Sequence, residues 1–156
     1  MREYTCCFAG HRSLPQRQLE PIAKRLENAV DTLISQGITN FISGGALGFD
    51  SMAASLILRK KAQGAGISLT FMLPCQAEDR FWRRRDQLNY AYLLSQADYI
   101  QVISQHYYDG CMKKRNVAMV DNSAYCICAL IHGHSGTQQT VDYARSQGLT
   151  VISVTD

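Results

Sequence analysis

Tyr125-Cys126-Ile127-Cys128-Ala129-Leu130-Ile131 runs directly into His132-Gly133-His134-Ser135-Gly136-Thr137, after which a helical pattern continues to Gln147. The first seven residues show no polar alternation, as expected of a strand covered on both faces. The glycines, serine and threonine that follow suit a tight turn onto a helix. There, backbone N–H groups and the helix dipole favour an anion. A buried strand, a glycine turn and a helix are the repeating piece of a β-α-β unit.

The rest of the chain repeats that piece. Strands are predicted at 4–9, Asn40–Ser43, Ser68–Leu73, 99–103, 125–131 and 150–154. Helices are predicted from Leu19 to Gly37, where Leu19, Ile22, Leu26, Ala29, Val30, Leu33 and Ile34 follow helical spacing, and at 49–63, 79–95, 113–122 and 137–147. Pro21 should leave the first turn of the first helix irregular. Strands alternating with helices imply right-handed crossovers and a mainly parallel sheet of about six strands. The expected fold is a Rossmann-like three-layer α/β/α sandwich. No repeat, linker or low-complexity stretch divides the 156 residues, so one domain over 1–156 is expected.

Composition narrows the function classes. The apolar fraction is 46% and the charged fraction 19%, which suits a globular chain with one core rather than a disordered tail. Sixteen basic and thirteen acidic residues leave +3, compatible with an anionic ligand and too little to argue for a nucleic-acid coat. Nucleic acid is therefore not expected as a partner, and neither is a membrane, because the longest apolar run, 124–131, is far short of the ~18 residues of a spanning helix. With no charged leader and apolar core at the N-terminus, a cytoplasmic location is expected. Six cysteines without a C-x-x-C spacing read as reduced, small apolar side chains, with Cys75 and Cys111 in predicted loops the two open to reactivity. No metal site and no cofactor are expected.

The two ends of the predicted sheet differ in chemistry. Segments leading into the strands are plain, whereas those leaving them are rich in glycine, histidine and arginine, and all four histidines (His11, His106, His132, His134) fall there. Ligands of such sheets bind beyond the carboxyl ends of the strands. Ser43-Gly44-Gly45-Ala46-Leu47-Gly48-Phe49-Asp50 joins a strand to a helix and could cradle a phosphate on its amides. It equally suits a structural turn with Asp50 as helix cap. The Ser135-Gly136-Thr137 turn is a second anion cradle, and Gly10-His11-Arg12 adds a cation and a ring. Lys113-Lys114-Arg115-Asn116 opens a helix, where positive charge opposes the dipole unless an anion is bound, so Arg115 is a ligand candidate. Arg80-Phe81-Trp82-Arg83-Arg84-Arg85 suits phosphate contact and base stacking. The simpler reading is a helix with Phe81 or Trp82 packed inward and its arginines solvated.

In order along the chain, Phe8-Ala-Gly-His-Arg12, Ser43-Gly-Gly-Ala-Leu-Gly-Phe-Asp50, Trp82 after Leu73-Pro74, Ala97-Asp98, Arg115-Asn-Val-Ala-Met-Val-Asp121 and Gly136-Thr137 with Val141, Tyr143 and Ala144 resemble the YpsA-like branch of the SLOG superfamily. The resemblance implies a nucleotide or nucleotide-derived ligand at the strand exits, and a homo-oligomer. The ligand-binding residues it implies are Gly10, His11, Arg12, Ser43, Gly44, Gly45, Ala46, Gly48, Asp50, Arg115, Asn116, Met119, Gly133, His134, Ser135, Gly136 and Thr137. The LOG phosphoribohydrolases of this superfamily carry Pro-Gly-Gly-x-Gly-Thr-x-x-Glu after a central strand; here Thr140 stands at the glutamate. Cleavage of an N-glycosidic bond gains from a carboxylate near the developing oxocarbenium ion. Asp50 and Glu78 are the catalytic candidates that would have to replace it, with Asp121 a further carboxylate to place. Without one, the expected function is binding, as a sensor or sequestering module. The DprA-type proteins share the Gly-x-x-x-Gly-x-Asp turn of Gly44 to Asp50, which keeps single-stranded nucleic acid as an alternative.

Overall fold

A computed structural model describes residues 2–155. Six strands form one parallel sheet: β1 (Thr5–Gly10), β2 (Asn40–Ser43), β3 (Ser68–Leu73), β4 (Tyr99–Val102), β5 (Tyr125–Ala129) and β6 (Thr150–Ser153). Their order is β4-β3-β2-β1-β5-β6, with every neighbouring pair parallel. The connecting helices are α1 (Leu19–Ser35), α2 (Phe49–Ala62), α3 (Arg84–Ser95), α4 (Cys111–Asp121) and α5 (Gly136–Ser146). This is the Rossmann-like α/β fold read from the alternation of patterns.

Two cores flank the sheet, divided by the two-residue period of the strands. Cys6 and Phe8 of β1 and Ile127 of β5 face one core, which α1, α2 and α3 close with Leu26, Val30, Phe49, Ile57 and Leu93. Cys7, Ala9, Cys126 and Cys128 face the other, closed by Met119 and Val120 of α4 and Val141 and Ala144 of α5. Phe8 anchors the first core, stacked 6.0 Å from Phe41 and edge-on to Phe49 at 6.3 Å. Each such ring contributes about 1.5–3 kcal/mol by leaving water. All six cysteines are buried free thiols, including Cys75 and Cys111. Burial and each other's proximity push the Cys75 thiol up, away from the thiolate form that reactivity needs.

Several element boundaries differ from expectation, three of them for a cause visible in the local structure. Residues 79–83 are turns, not the start of α3, and Ala77 sits at φ 53° just before them. The Gln87 side-chain amide donates to Asp79 O (2.9 Å) and Arg80 O (3.3 Å), which fixes the turns ahead of the helix. Helix α4 begins at Cys111, two residues early, because Gly110 at φ 96° reverses the chain there. Strand β5 ends at Ala129 because the Ile131 N–H turns away to His11. Pro21 is the third residue of α1, where its missing N–H has no intrahelical acceptor to lose. A 3-10 turn, Gln16–Gln18, precedes the helix instead.

The plain ends of the strands carry structural ion pairs. Lys60 of α2 reaches Glu27 (2.6 Å) and Asp31 (3.0 Å) of α1, and Lys61 reaches Asp98 (2.5 Å), which also accepts the Leu69 N–H (2.7 Å). No helix of the described residues is long and apolar enough to cross a membrane.

Candidate functional site

Strands β1 to β4 progress in one direction across the sheet, whereas β5 returns to the other side of β1. The loops leaving β1 and β5 therefore diverge, and a crevice opens between them. A cleft of about 360 Å³ lies at this point, floored by Phe8, Ala9 and Gly10 and walled by α4 and the start of α5.

The α5 wall is the open one. Ser135 caps the helix by accepting the Gln138 N–H on Oγ (3.1 Å), and Gly136 and Thr137 follow it into the cleft. A Cβ placed on Gly136 would meet no heavy atom within 4 Å, so space remains directly over the first turn. The unpaired N–H groups of a helix start point toward such a space. Thr140 lies one turn further on and lines the same cleft, but its hydroxyl donates to Gly136 O (2.9 Å).

The wall across from it is built around Arg115. This side chain is buried; Nη1 donates to Gly44 O and to Met72 O (3.4 Å), and Nε donates to Asn116 Oδ1 (2.8 Å). Its remaining nitrogen, Nη2, has a 3.9 Å contact with the Met112 sulfur at the cleft. The positive charge that looked misplaced at a helix start is set against two carboxyl groups. Burial pushes Asp50 up to about 6, opposed by Arg115 and by the Ala46 N–H that donates to Oδ2 (3.3 Å). Burial likewise pushes Glu78 up to about 7, and the neighbouring charge of Asp50 adds to this while Arg115 and the Tyr90 hydroxyl (3.0 Å to Oε1) oppose it.

His11 clamps the two diverging loops together. Its Nε2 accepts the Ile131 N–H (2.9 Å), which places the ring proton on Nδ1, 3.3 Å from Thr137 Oγ1. The ring stacks on His132 at 4.1 Å, and burial together with His132 lowers its pKa, so it stays neutral. Its imidazole is engaged in positioning the cleft walls.

Of the candidate ligand residues, Gly10, His11, Arg12, Ala46, Asp50, Arg115, Asn116, Ser135, Gly136 and Thr137 surround this cleft. Others are placed differently. Met119 belongs to the second core and cannot touch a ligand. Ser43 is fully buried, accepting the Gly45 N–H (3.2 Å) and donating to Asp50 O (3.1 Å). The amide of Gly45, expected with that of Gly44 to cradle a phosphate, is thus occupied within the loop, as is the neighbouring Ala46 N–H. Gly44 is glycine because a Cβ would stand 2.6 Å from Arg115 Nη1 and 2.8 Å from Asp50 Oδ2. Gly48 (φ 78°) lets the loop press on the carbonyls of His11 and Arg12. It is also the residue that caps α2, in the place expected for Asp50. Gly133 and His134 are exposed outside the cleft, and Glu78 lies beyond it in a neighbouring pocket. Asp121 ends α4 away from the cleft and accepts the Tyr143 hydroxyl (2.7 Å). Phe8, Ala9 and Met112 are cleft residues absent from the candidates, and Met112's spacing of three from Arg115 puts both on one helix face. No group of three or more histidine, cysteine or acidic side chains among the described residues is arranged to hold a metal ion.

The profile of the YspA SLOG family matches residues 9–148, which includes every wall of the cleft. The chain belongs to the YspA SLOG family. It is 27% identical over 94 residues to the UPF0398 protein BH1768 of Halalkalibacterium halodurans, covering 60% of this chain and 50% of that protein. It is 25% identical over 142 residues to the SPbeta prophage-derived protein YoqJ of Bacillus subtilis, covering 80% and 83%. This SLOG chain thus spans about half the length of the UPF0398 relative. Among solved structures, DNA processing protein A from Streptococcus pneumoniae shares the fold with a TM-score of 0.68 at 17% identity, over 96% of this chain and 49% of that one. DNA processing protein A from Helicobacter pylori, described by its single-stranded DNA binding mode, gives 0.62 at 16% identity, over 96% and 64%. That protein corrects the expectation that nucleic acid is not a partner. Single-stranded DNA binding is described for that protein, which shares the fold, so the expectation of no nucleic-acid partner does not stand.

Proposed function

We propose that this SLOG chain binds a nucleotide, holding its phosphate at the start of α5 and its ribose over the floor of β1. The observation that carries this reading is the uncrowded first turn at Gly136, open to the cleft and set across from Arg115. A phosphate there accepts backbone N–H bonds and the field of the helix dipole, with Arg12 and the Nη2 of Arg115 balancing its charge. Binding without turnover is supported by Thr140 at the glutamate position of the phosphoribohydrolases and by Asp50, whose Oδ2 is committed to the Ala46 N–H. Calorimetry with nucleoside monophosphates tests this, with Gly136→Asp as the variant that places a negative charge in the cradle. Saturable binding lost in Gly136→Asp is expected; no heat at millimolar nucleotide removes the reading. Release of free base during the titration would show turnover instead.

A second reading, single-stranded DNA, is favoured by a separate surface. Arg83, Arg84 and Arg85 are all exposed, and Phe81 beside them is 85% exposed. Oligonucleotide affinity should then fall steeply with salt, and the slope of log K against log salt should drop by roughly 0.7 for each phosphate contact removed in Arg83→Ala, Arg84→Ala and Arg85→Ala. An unchanged slope in the triple variant rejects this surface.

A further inference from the structure

Beside the phosphate cleft lies a second pocket of about 710 Å³, separated from it only by Arg12 and Met112, which line both. Two different exit loops build it. The loop after β3 supplies Glu78, Arg80, Phe81 and Trp82, and the loop after β4 supplies His106 and Tyr107. Phe81 is 85% exposed and Tyr107 61% exposed, so neither ring is placed for packing in the core. Leaving a phenylalanine in water forgoes the stabilisation that burial gives, which a core-forming loop would avoid. Arg80 lies over the Phe81 ring at 4.8 Å and leaves its other face uncovered by that contact. Trp82, in turn, packs edge-on against Tyr90 at 5.0 Å and forms a wall of the pocket.

Glu78 gives this pocket a polar edge. Its Oε1 is held by the Tyr90 hydroxyl, whereas Oε2 is buried and has no hydrogen-bond partner. A buried carboxyl oxygen without a partner costs free energy that a ligand N–H would recover. Aromatic faces and an unsatisfied buried carboxyl oxygen lining one pocket match a flat, hydrogen-bonding heterocycle.

We propose that this pocket is the nucleobase site of the molecule, with the ring stacked on Phe81 or Tyr107 and a base N–H donated to Glu78 Oε2. The proposal rests on the reading that a nucleotide phosphate occupies the adjoining cleft. The base is held on the far side of Arg12 from that phosphate, so one nucleotide spans both pockets.

Trp82 is the only tryptophan of the chain, so its fluorescence reports on this pocket alone. The experiment titrates the protein with ribose 5-phosphate, with adenosine and guanosine 5′-monophosphates, and with a single-stranded oligonucleotide. Ribose 5-phosphate should bind without altering Trp82 emission. The nucleotides should bind more tightly by roughly tenfold and change the emission, since one base-stacking contact is worth about that factor. Phe81→Ala and Tyr107→Ala, both exposed positions that leave the core intact, should bring nucleotide affinity down toward that of ribose 5-phosphate and leave the latter unchanged. Equal affinities with constant emission overturn the base site while the phosphate reading stands. Absence of binding by every phosphate ligand overturns both. If the oligonucleotide changes Trp82 emission at lower concentration than the mononucleotides, the base comes from a strand; the reverse order assigns it to a free nucleotide.

Discussion

Arg115, Asp50 and Glu78 set the charge of the cleft between them, and their protonation sets its affinity for anions. Both carboxyls are raised by burial, to about 6 and about 7, so each keeps its proton to higher pH than in the unfolded chain. Below these values the carboxyls are neutral and Arg115 faces the cleft less compensated. Above them, two negative charges compete with a bound phosphate. Affinity for an anionic ligand should therefore fall as pH rises from about 6 to 8. A phosphodiester ligand, whose own charge is constant across that range, makes the measurement clean, and Glu78→Gln should flatten the upper part of the profile. A profile identical in wild type and Glu78→Gln would separate Glu78 from the anion site. Folding follows the same sign. A carboxyl whose pKa is raised on folding loses stability as pH climbs from its unfolded to its folded value, here from 3.8 to about 6 for Asp50.

Two glycine turns, alike in sequence, do different work in the structure. The turn from β2 to α2 is filled by its own side chains, and its glycines admit Arg115, Asp50 and the carbonyls of His11 and Arg12. The turn from β5 to α5 is open at Gly136. Gly48→Ala combines a left-handed φ with overlap on backbone carbonyls, and should cost on the order of 3 kcal/mol in urea denaturation. Gly136→Ala should leave stability unchanged or raise it by up to about 1 kcal/mol, while weakening nucleotide binding. Equal destabilisation by both would show that the α5 turn is also a packing element. The Arg80 to Arg85 segment shows the same limit of local reading. Its composition was compatible with a helix turned inward, and Trp82 does pack against Tyr90 with the arginines solvated. Phe81, however, stands outside, because the residues before Arg84 form turns.

For the whole molecule, sheet order decides where the cleft lies, and exposure is greatest at the β4 edge, with the two end residues of the opposite edge strand β6 also exposed. All four residues of β4 are exposed, including Tyr99 and Ile100, while β1, β2 and β5 are buried except for a residue at one end. Sedimentation velocity measures the self-association that the family resemblance implies; a single boundary at the monomer mass across micromolar concentrations removes that expectation.

Strand and helix alternation, the unbroken apolar run at β5 and the glycine-histidine-arginine bias of the exit loops were all legible from residue order. Each is set by local periodicity or by turn chemistry, and both act over a few residues. The pairing of β1 with β5 was not legible, since it joins Cys6 to Tyr125 across the chain. Everything that depends on that pairing waited for the fold. Only there does His11 meet Ile131, does Arg115 reach Gly44, and does Glu78 keep one carboxyl oxygen buried without a partner. Local sequence determined which groups this protein carries to the strand ends. Tertiary packing decided which of them face a ligand, because burial and long-range contact are properties no short stretch of chain possesses.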